Sequence, residues 1–293
     1  MVESKTWAAR VLDAANHALL LLIGVVCVAP LVHVAAVSLS DRAATTAGFV
    51  TFWPIGATLV SYQKVLGAGA FFNSLGVSVS RTLLGTAINM ALTVLTAYPL
   101  SKSPRELKGR AVFVWLLLGA MLFYGGLIPW FLVIRQVGLL NTIWALVLPS
   151  ALPIWNVFLM MNFFREVPRE IEESAVIDGA SHWRILWHVY LPMSTPALAT
   201  LTLFAAVYHW NAWFDGLVLM TDVAKYPLQT FLRTVVVIGN VSDVVRDPSD
   251  FAEFSNRSVQ AAQILVTTLP ILVVYPFLQR YFIAGIKLGA VKG

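Results

Sequence analysis

The chain has 293 residues, of which 58% are hydrophobic and only 12% are charged. An ordinary soluble domain carries about 25% charged residues, so a water-exposed globule of this length would lack the polar residues to cover its surface. The composition excludes a disordered chain, a coiled coil and a soluble enzyme of the usual kind, and it indicates an integral membrane protein. The formal net charge of +5 fits basic residues at cytoplasmic membrane edges better than nucleic-acid binding.

Six apolar stretches are long enough to cross a hydrocarbon core of about 30 Å, which needs roughly 20 helical residues. Because these stretches are continuous rather than alternating, they predict helices and not barrel strands. The predicted spans cover residues 17–39, 74–100, 111–134, 143–164, 196–220 and 262–285. We therefore expect an all-α membrane protein whose single transmembrane domain occupies residues 1–293.

The distribution of Lys and Arg predicts how these spans are oriented. If the N-terminus lies in the cytoplasm, most basic residues fall on the inner side, as the positive-inside rule requires. Both termini are then cytoplasmic, segment 165–195 lies inside and segment 221–258 lies outside. The first apolar run exceeds the roughly 7–15 residues of a signal-peptide core, so it favours an uncleaved span over a leader.

Prolines interrupt several of the predicted spans, with Pro129 in the third and Pro149 and Pro153 in the fourth. Helix breaks inside a membrane are tolerated where neighbouring helices or a cavity satisfy the freed backbone groups. The prolines therefore indicate either a packed bundle that contains a transport pathway or kinks that only improve helix packing.

The sequence lacks the usual signatures of catalysis. The single cysteine, Cys27, lies in an apolar run and is expected to be a buried structural thiol. The histidines show no metal-ligand spacing, and no phosphate-binding loop pattern is present. We expect no metal site, no bound cofactor and no enzymatic activity in this chain. An ion-coupled secondary transporter would need midplane carboxylates and usually inverted repeats, and neither is visible.

The inside segment 165–195 has the pattern of two short helices. Pro168 followed by acidic residues predicts a helix start, since proline fits the first turn and negative charge favours the N-terminal end of the dipole. Gly179 is expected to end or bend this helix. A second helix follows, stopped by Leu191-Pro192, whose apolar face consists of Trp183, Leu186, Trp187 and Tyr190. Two short helices around a glycine corner make a compact knob that another protein can grip.

This segment resembles the "EAA" loop of permease subunits of bacterial ABC importers. The family pattern is Glu-Ala-Ala, three residues, Gly, nine residues, an aliphatic residue, one residue and Leu-Pro. The chain matches the spacing throughout, with Ser in place of the middle Ala. The resemblance implies an ATPase-coupling role for Glu173, Ser174, Ala175, Asp178, Gly179, Ala180, Leu191 and Pro192. In particular, it implies that Glu173 pairs with a basic group of the ATPase and that Asp178-Gly179 fixes the corner.

Other parts of the chain resemble the carbohydrate-uptake members of this family, on the side of the smaller maltose importer permease. The resemblance rests on residues 208–216, 225–230 and 285–293. The Trp-Asn-x-Trp-Phe-Asp-Gly form at 210–216 is similar to a subgroup that imports oligosaccharides of acidic polysaccharides, such as uronates of the alginate type. The alternative is an ABC permease for another class of solute.

The resemblance implies a six-transmembrane-helix ABC importer permease with a cytoplasmic coupling-helix loop, located in the bacterial inner membrane and surrounded by lipid. It implies a second, non-identical permease subunit, two ATPase subunits that use ATP and Mg, and an extracytoplasmic sugar-binding protein that faces segment 221–258. An oligosaccharide is the expected substrate.

Charged and aromatic residues within the spans are candidates for the substrate path. Arg81 and Asp215 are intramembrane charges and should face the bundle interior or water. Either they pair with each other or snorkel to the interface, or Arg81 meets a carboxylate of an acidic sugar through its bidentate guanidinium. The fifth span adds a cluster of which we expect two or three members to line the path, namely Tyr208, His209, Trp210, Asn211 and Trp213. An interfacial aromatic belt is the competing interpretation of Trp213 and Phe214.

Overall fold

The computed structural model describes residues 7–67, 69–123, 125–237, 255–270 and 272. Regular structure within these residues is helical and includes no strand, as the continuous apolar runs predict. The first seven helices are α1 (Trp7–Ser38), α2 (Arg42–Ala47), α3 (Val60–Gly67), α4 (Gly69–Ser101), α5 (Arg110–Leu122), α6 (Leu127–Gln136) and α7 (Ile143–Val147). The next seven are α8 (Ile154–Arg165), α9 (Arg169–Ile177), α10 (His182–Ile185), α11 (Leu191–Met193), α12 (Thr195–Asn211), α13 (Phe214–Leu219) and α14 (Leu228–Val237).

Two helices, Ala9–Ser38 within α1 and the whole of α4, are each long and apolar enough to cross a membrane. Three further helix pairs, each bent at a short break, pass the same test when both members are taken together. The described residues therefore supply up to five spans. Of the sixth predicted span, 262–285, only residues 262–270 and 272 lie within the described part of the chain.

The described chain divides into two compact units. The first contains α1, α2 and α3 together with described residues between 234 and 269. In it, Asp41 caps α2 by accepting a 2.8 Å hydrogen bond from the Ala44 N–H. Only 6% of the most apolar stretch of α1 is buried, and Cys27 is exposed on this helix. The expectation of a buried thiol is therefore wrong, because α1 has few packing partners among the residues that the structure describes.

The second unit contains residues 70–233, and its predicted spans are broken. The predicted third span contains α5 and α6, and the predicted fifth contains α12 and α13, with a break at Ala212 and Trp213 between them. The bent helix pair of this region that is long and apolar enough to cross a membrane is His182–Met193 with Thr195–Asn211, bent by 84°. The fourth consists of α7 with a short 3-10 turn and then α8, with a bend of 49° between them. Pro153 directly precedes α8 and has no N–H, so the helical hydrogen-bond ladder stops there.

Helix α4 gives this unit its buried axis. Along one face of the helix, residues spaced three or four apart are polar or small and are buried, whereas most of the other residues of the helix are apolar. This face consists of Ser74, Ser78, Arg81, Gly85, Asn89 and Thr93. A polar stripe in an otherwise apolar span must find partners inside the protein, because lipid offers none. The stripe is the side of α4 that receives the broken spans.

Three aromatic rings pack together near the C-terminal end of α4. Tyr98 of α4, Phe164 of α8 and Tyr190 pack edge to face, with ring centroids 5.0 to 6.3 Å apart. All three side chains are buried. Edge-to-face aromatic packing contributes roughly 0.5–1.5 kcal/mol per pair beyond its buried area. The cluster fixes segment 165–195 to the ends of two membrane helices.

Candidate functional site

The glycine corner of segment 165–195 is a fully hydrogen-bonded helix end. Helix α9 begins at Arg169 after Pro168, as predicted, and ends where Gly179 adopts φ of +77°. The Gly179 N–H donates to Val176 O at 3.0 Å and the Ala180 N–H donates to Ala175 O at 2.9 Å. This pair of bonds is the Schellman arrangement, which requires a left-handed residue at the corner. The left-handed conformation of the corner therefore explains why the motif has a glycine at this position.

The predicted coupling residues divide between an outer and an inner face. Ala175, Ala180 and Leu191 pack against the buried core of the second unit. The remaining predicted coupling residues are exposed, namely Glu173, Ser174, Asp178, Gly179 and Pro192. Ile177 beside the corner is 85% exposed and its neighbour Val176 is 53% exposed, so the corner carries a small apolar surface. The corner thus presents the carboxylates of Glu173 and Asp178 and the apolar side chain of Ile177 outward.

The second helix of this segment departs from the prediction in two respects. Its apolar stripe splits, because Leu186 and Tyr190 are buried whereas Trp183 and Trp187 are each 62% exposed. Pro192 also does not stop the helix, which runs to Met193. A π-helical turn over Leu186–Tyr190 precedes the proline. Proline cannot donate a backbone hydrogen bond, and the wider turn accommodates the carbonyl that it leaves unpaired.

Lys102, just after α4, ties this segment to the membrane helix. Its Nζ lies 4.3 Å from the ring centroids of both Tyr98 and Tyr190, between the two rings. It donates to the Tyr190 hydroxyl at 3.0 Å and forms an ion pair with Glu172, in the first turn of α9. The Tyr190 hydroxyl in turn donates to Glu172 Oε2 at 2.5 Å. Lys102, Glu172 and Tyr190 therefore supply one another's hydrogen-bond and charge partners.

This Lys102 clamp, defined as Lys102, Glu172 and Tyr190, is nearly closed to solvent. The side chains of Lys102 and Glu172 are only 9% and 14% exposed. Burial and the hydrogen bond to Glu172 raise the pKa of the Tyr190 hydroxyl, which keeps it protonated as a donor. The clamp lines a cleft of about 830 Å³ that also borders Glu173 and Ile177. A buried, charge-assisted contact therefore connects α9 to the end of α4.

Within the spans, Arg81 pairs with Asp215. Arg81 is completely buried and its Nη1 donates to Asp215 Oδ1 at 3.1 Å and to Ala212 O at 3.2 Å. Its Nη2 pairs with the second carboxylate oxygen, Oδ2. Asp215 also accepts from the Gly216 N–H at 2.9 Å. Of the predicted alternatives, which include an internal ion pair and a contact with a sugar carboxylate, the structure shows the internal ion pair. This pair joins α4 to the break in the fifth span.

His209 is buried against the same face of α4. The Asn89 amide donates to Ser150 O at 2.7 Å and to Ala151 O at 2.9 Å, so its Oδ1 is the acceptor left for His209. His209 Nε2 lies 2.8 Å from this Oδ1 and must carry the proton. The ring sits directly over Gly85, where an added Cβ would lie 2.5 Å from the His209 Cε1. Asn89 thus satisfies the carbonyls freed at the break in the fourth span.

The other aromatic candidates do not share the buried site. Tyr208 is 54% exposed, and Asn211 is exposed with its amide donating to Val207 O at 2.9 Å within the same helix. Trp210 is half-buried. Trp213 lies in the break between α12 and α13, and the guanidinium carbon of Arg233 stands 3.9 Å from its ring centroid. Of the predicted cluster, His209 is therefore buried, whereas the other four residues are partly or fully exposed.

The described part of segment 221–258 is folded rather than extended. Helix α14 buries Leu228, Thr230 and Phe231. The Leu228 N–H donates to Ser78 Oγ at 2.7 Å, and Thr230 Oγ1 donates to Trp213 O at 2.7 Å. Residues 238–254, which hold most of the acidic residues of this segment, lie outside the described residues. The base of the segment is thus anchored to α4 and to the fifth-span break.

Sequence reasoning missed Lys102, Tyr190, Gly85 and Asn89. A lone lysine at a membrane edge is the default of the positive-inside rule, so Lys102 carried no separate signal. The buried stripe on α4 did carry one, because polar and small residues recur at helical spacing in an apolar span. No group of three or more potential metal-ligating side chains occurs among the described residues.

Comparison with known proteins places the chain in a family. Residues 92–288 match the model of the binding-protein-dependent transport system inner membrane component. The chain is 40% identical to protein LplC of Bacillus subtilis (strain 168), over 98% of this chain and 97% of that protein. It is 38% identical to the polygalacturonan/rhamnogalacturonan transport system permease protein YtcP of the same organism, over 97% and 99% of the two chains.

A solved structure agrees with these relatives. The fold is similar, with a TM-score of 0.87 and 33% identity, to a chain of a bacterial ABC transporter involved in the import of the acidic polysaccharide alginate. The match covers 94% of this chain and 98% of that one. The chain therefore belongs to the family of inner membrane components of binding-protein-dependent transport systems.

Proposed function

We propose that the chain is the pore-forming permease subunit of an ATP-driven importer that moves oligosaccharides into the cytoplasm. An extracytoplasmic binding protein delivers the sugar, and ATP with Mg is used by two separate ATPase subunits. A second, non-identical permease completes the pore. The observation that carries this proposal is the exposed corner at Glu173–Gly179, held on α4 by the Lys102 clamp.

The chemistry of the corner suits contact with an ATPase. Glu173 offers a solvent-accessible carboxylate to a basic group of the partner, and Ile177 offers an apolar side chain to a cleft. Behind this surface, Ala175 and Ala180 pack on the core, so force applied to the corner reaches a rigid body. Alternating access needs a two-state element whose equilibrium is biased by nucleotide binding, and a corner clamped to a 33-residue helix meets that need.

Oligosaccharides are the proposed cargo because the relatives are named for them. They include the polygalacturonan/rhamnogalacturonan permease and the melibiose/raffinose/stachyose import permease protein MelC of Bacillus subtilis (strain 168). The exposed Tyr208 and Asn211 offer an aromatic face and an amide toward such a substrate.

The proposed orientation in the membrane has both termini in the cytoplasm, with segment 165–195 inside and α14 outside. Lys102 and Glu172 then share the inner side, in keeping with their contact.

The proposal is tested with the complete importer in lipid nanodiscs. The readouts are ATP hydrolysis stimulated by the sugar-loaded binding protein and uptake of labelled oligosaccharide into proteoliposomes. We expect stimulation by at least one oligosaccharide, and loss of both readouts in Glu173→Lys while the permease pair still assembles. Normal transport by an assembled Glu173→Lys complex would contradict the coupling assignment. Stimulation by amino acids or metal ions, with none by sugars, would contradict the cargo.

A further inference from the structure

Arg233 is held in a defined position at the outer end of the fifth span. Its guanidinium lies over the ring of Trp213, 3.9 Å from the centroid. The position is set by the fold, because Thr230 on the same helix donates to Trp213 O at 2.7 Å. The first turn of α14 is also bonded to Ser78 of α4. Stacking of Arg on Trp is the most favourable cation–π pairing and restrains the side chain before any ligand binds.

This stacking leaves the hydrogen-bonding capacity of Arg233 unused. A guanidinium stacks through its face, whereas its five N–H donors point outward from its edge. Arg233 is exposed, and no carboxylate of the described residues lies within 4.0 Å of it. Asp215, two residues from Trp213, is occupied by Arg81 and by the Gly216 N–H. With respect to the described residues, the guanidinium edge is therefore open to a ligand.

Arg81 cannot supply the same contact. It is fully buried, and its two terminal nitrogens already serve Asp215 and Ala212 O. An external carboxylate could reach it only by displacing a buried partner, at a cost of several kcal/mol. Of the two arginines beside the fifth-span break, only Arg233 combines a free edge with access from outside.

We infer that Arg233, stacked on Trp213, is a carboxylate-binding contact that selects acidic oligosaccharides, chains of uronate residues, at the outer mouth of the path. The inference rests on the proposed function. A guanidinium edge binds a carboxylate bidentately, and an adjacent aromatic ring packs on the apolar face of a sugar ring. Because Arg233 already covers a face of Trp213, that aromatic surface is supplied by Phe214, which is 45% exposed and stands edge-on to Trp213 at 5.6 Å. A uronate unit carries both a carboxylate and an apolar ring face.

The test uses the complete importer with its own binding protein and three probes of equal length. These are trigalacturonate, trimannuronate and carboxyl-reduced trigalacturonate, which is neutral. The variants are Arg233→Gln, Arg233→Lys and, as a matched control, Arg135→Gln, which removes an exposed positive charge at the end of α6 on the same predicted side. The readout is the concentration of loaded binding protein that gives half-maximal ATP hydrolysis, with basal hydrolysis and assembly measured alongside.

We expect an acidic trimer to stimulate the wild-type importer, and Arg233→Gln to raise the half-maximal concentration for it by about tenfold. Arg233→Lys should raise it by less, since the charge remains but the bidentate edge is lost. Arg135→Gln should leave it unchanged. The Lys variant also keeps the test decisive if the Gln variant fails to assemble.

Three outcomes overturn the inference. Wild-type stimulation by neutral sugars only would show that no carboxylate is selected, while the proposed oligosaccharide function stands. Equal effects of Arg135→Gln and Arg233→Gln would reduce the result to general charge attraction. Wild-type behaviour of both Arg233 variants would remove the residue from recognition. Absence of stimulation by any sugar would instead contradict the proposed function itself.

Discussion

Lys102 and Glu172 form a nearly buried ion pair that joins the end of α4 to the first turn of α9, between the rings of two tyrosines. The pair lies directly behind the exposed corner at Glu173–Gly179. In the N-terminal half of α4, Arg81 pairs with Asp215 beside the break in the fifth span. One continuous helix therefore links the proposed ATPase contact to the proposed substrate path.

Replacement of Lys102 by Met tests whether the Lys102–Glu172 contact is needed to couple ATP hydrolysis to uptake. Methionine keeps an apolar stem between Tyr98 and Tyr190 but removes the charge and leaves the Glu172 carboxylate without its cation. Loss of one partner of a buried pair costs about 3–5 kcal/mol, part of which Tyr190 offsets by its hydrogen bond. We expect stimulated ATP hydrolysis and uptake to fall at least tenfold. Both are measured on complexes purified at equal amounts.

Lys108→Met is the control, because Lys108 is exposed in the same inner segment. It should behave like the wild type. If Lys102→Met retained full transport, the clamp would be a passive packing contact. If both variants lost transport equally, the effect would be one of membrane-edge charge and not of the clamp.

Replacement of Gly85 by Ala tests the close contact between α4 and the fifth span. The added methyl would collide with the His209 ring, which cannot move without breaking its bond to Asn89. Overpacking of this kind costs about 1–3 kcal/mol. We expect a lower midpoint of thermal unfolding for the detergent-solubilised complex. Gly76→Ala on the same helix meets no atom within 4 Å and should leave the midpoint unchanged or raise it. A Gly85→Ala midpoint equal to that of Gly76→Ala would contradict the predicted contact.

The Arg81–Asp215 pair separates a structural role from a substrate role. Asp215→Asn leaves a buried guanidinium without a counter-charge and should strongly reduce assembled protein, whereas Arg81→Met with Asp215→Leu removes both charges and should restore assembly. The amount of folded complex is measured by size-exclusion chromatography of solubilised membranes. If the double variant assembles and transports, Arg81 is structural. An assembled but transport-dead double variant would indicate that Arg81 contacts substrate.

Some of these features are readable in the sequence, and others arise only in three dimensions. The corner is local, because Gly179 and its neighbours form their hydrogen bonds within six residues, so motif spacing predicts it well. The Arg81–Asp215 pair was accessible as one of the alternatives, since two opposite charges in lipid must find partners. Lys102 and Glu172 are far apart in sequence and individually ordinary, so no local pattern marks their contact.

Replacement of Gly179 by Val tests the corner itself. The left-handed conformation at φ of +77° costs a residue with a Cβ roughly 1–2 kcal/mol, and more when it is β-branched. Asn tolerates this region better, so we expect uptake to fall in the order Gly, Asn, Val. Because no atom lies within 4 Å of an added Cβ, the loss comes from backbone strain at the corner and not from a collision. Gly109 shares the positive φ and the open surroundings but begins α5, outside the coupling segment. Gly109→Val therefore carries the same local strain and should retain the ratio of uptake to ATP hydrolysis, whereas Gly179→Val should lower it. Equal ratios in the two valine variants would mean that strain alone, and not the orientation of the corner, explains the loss.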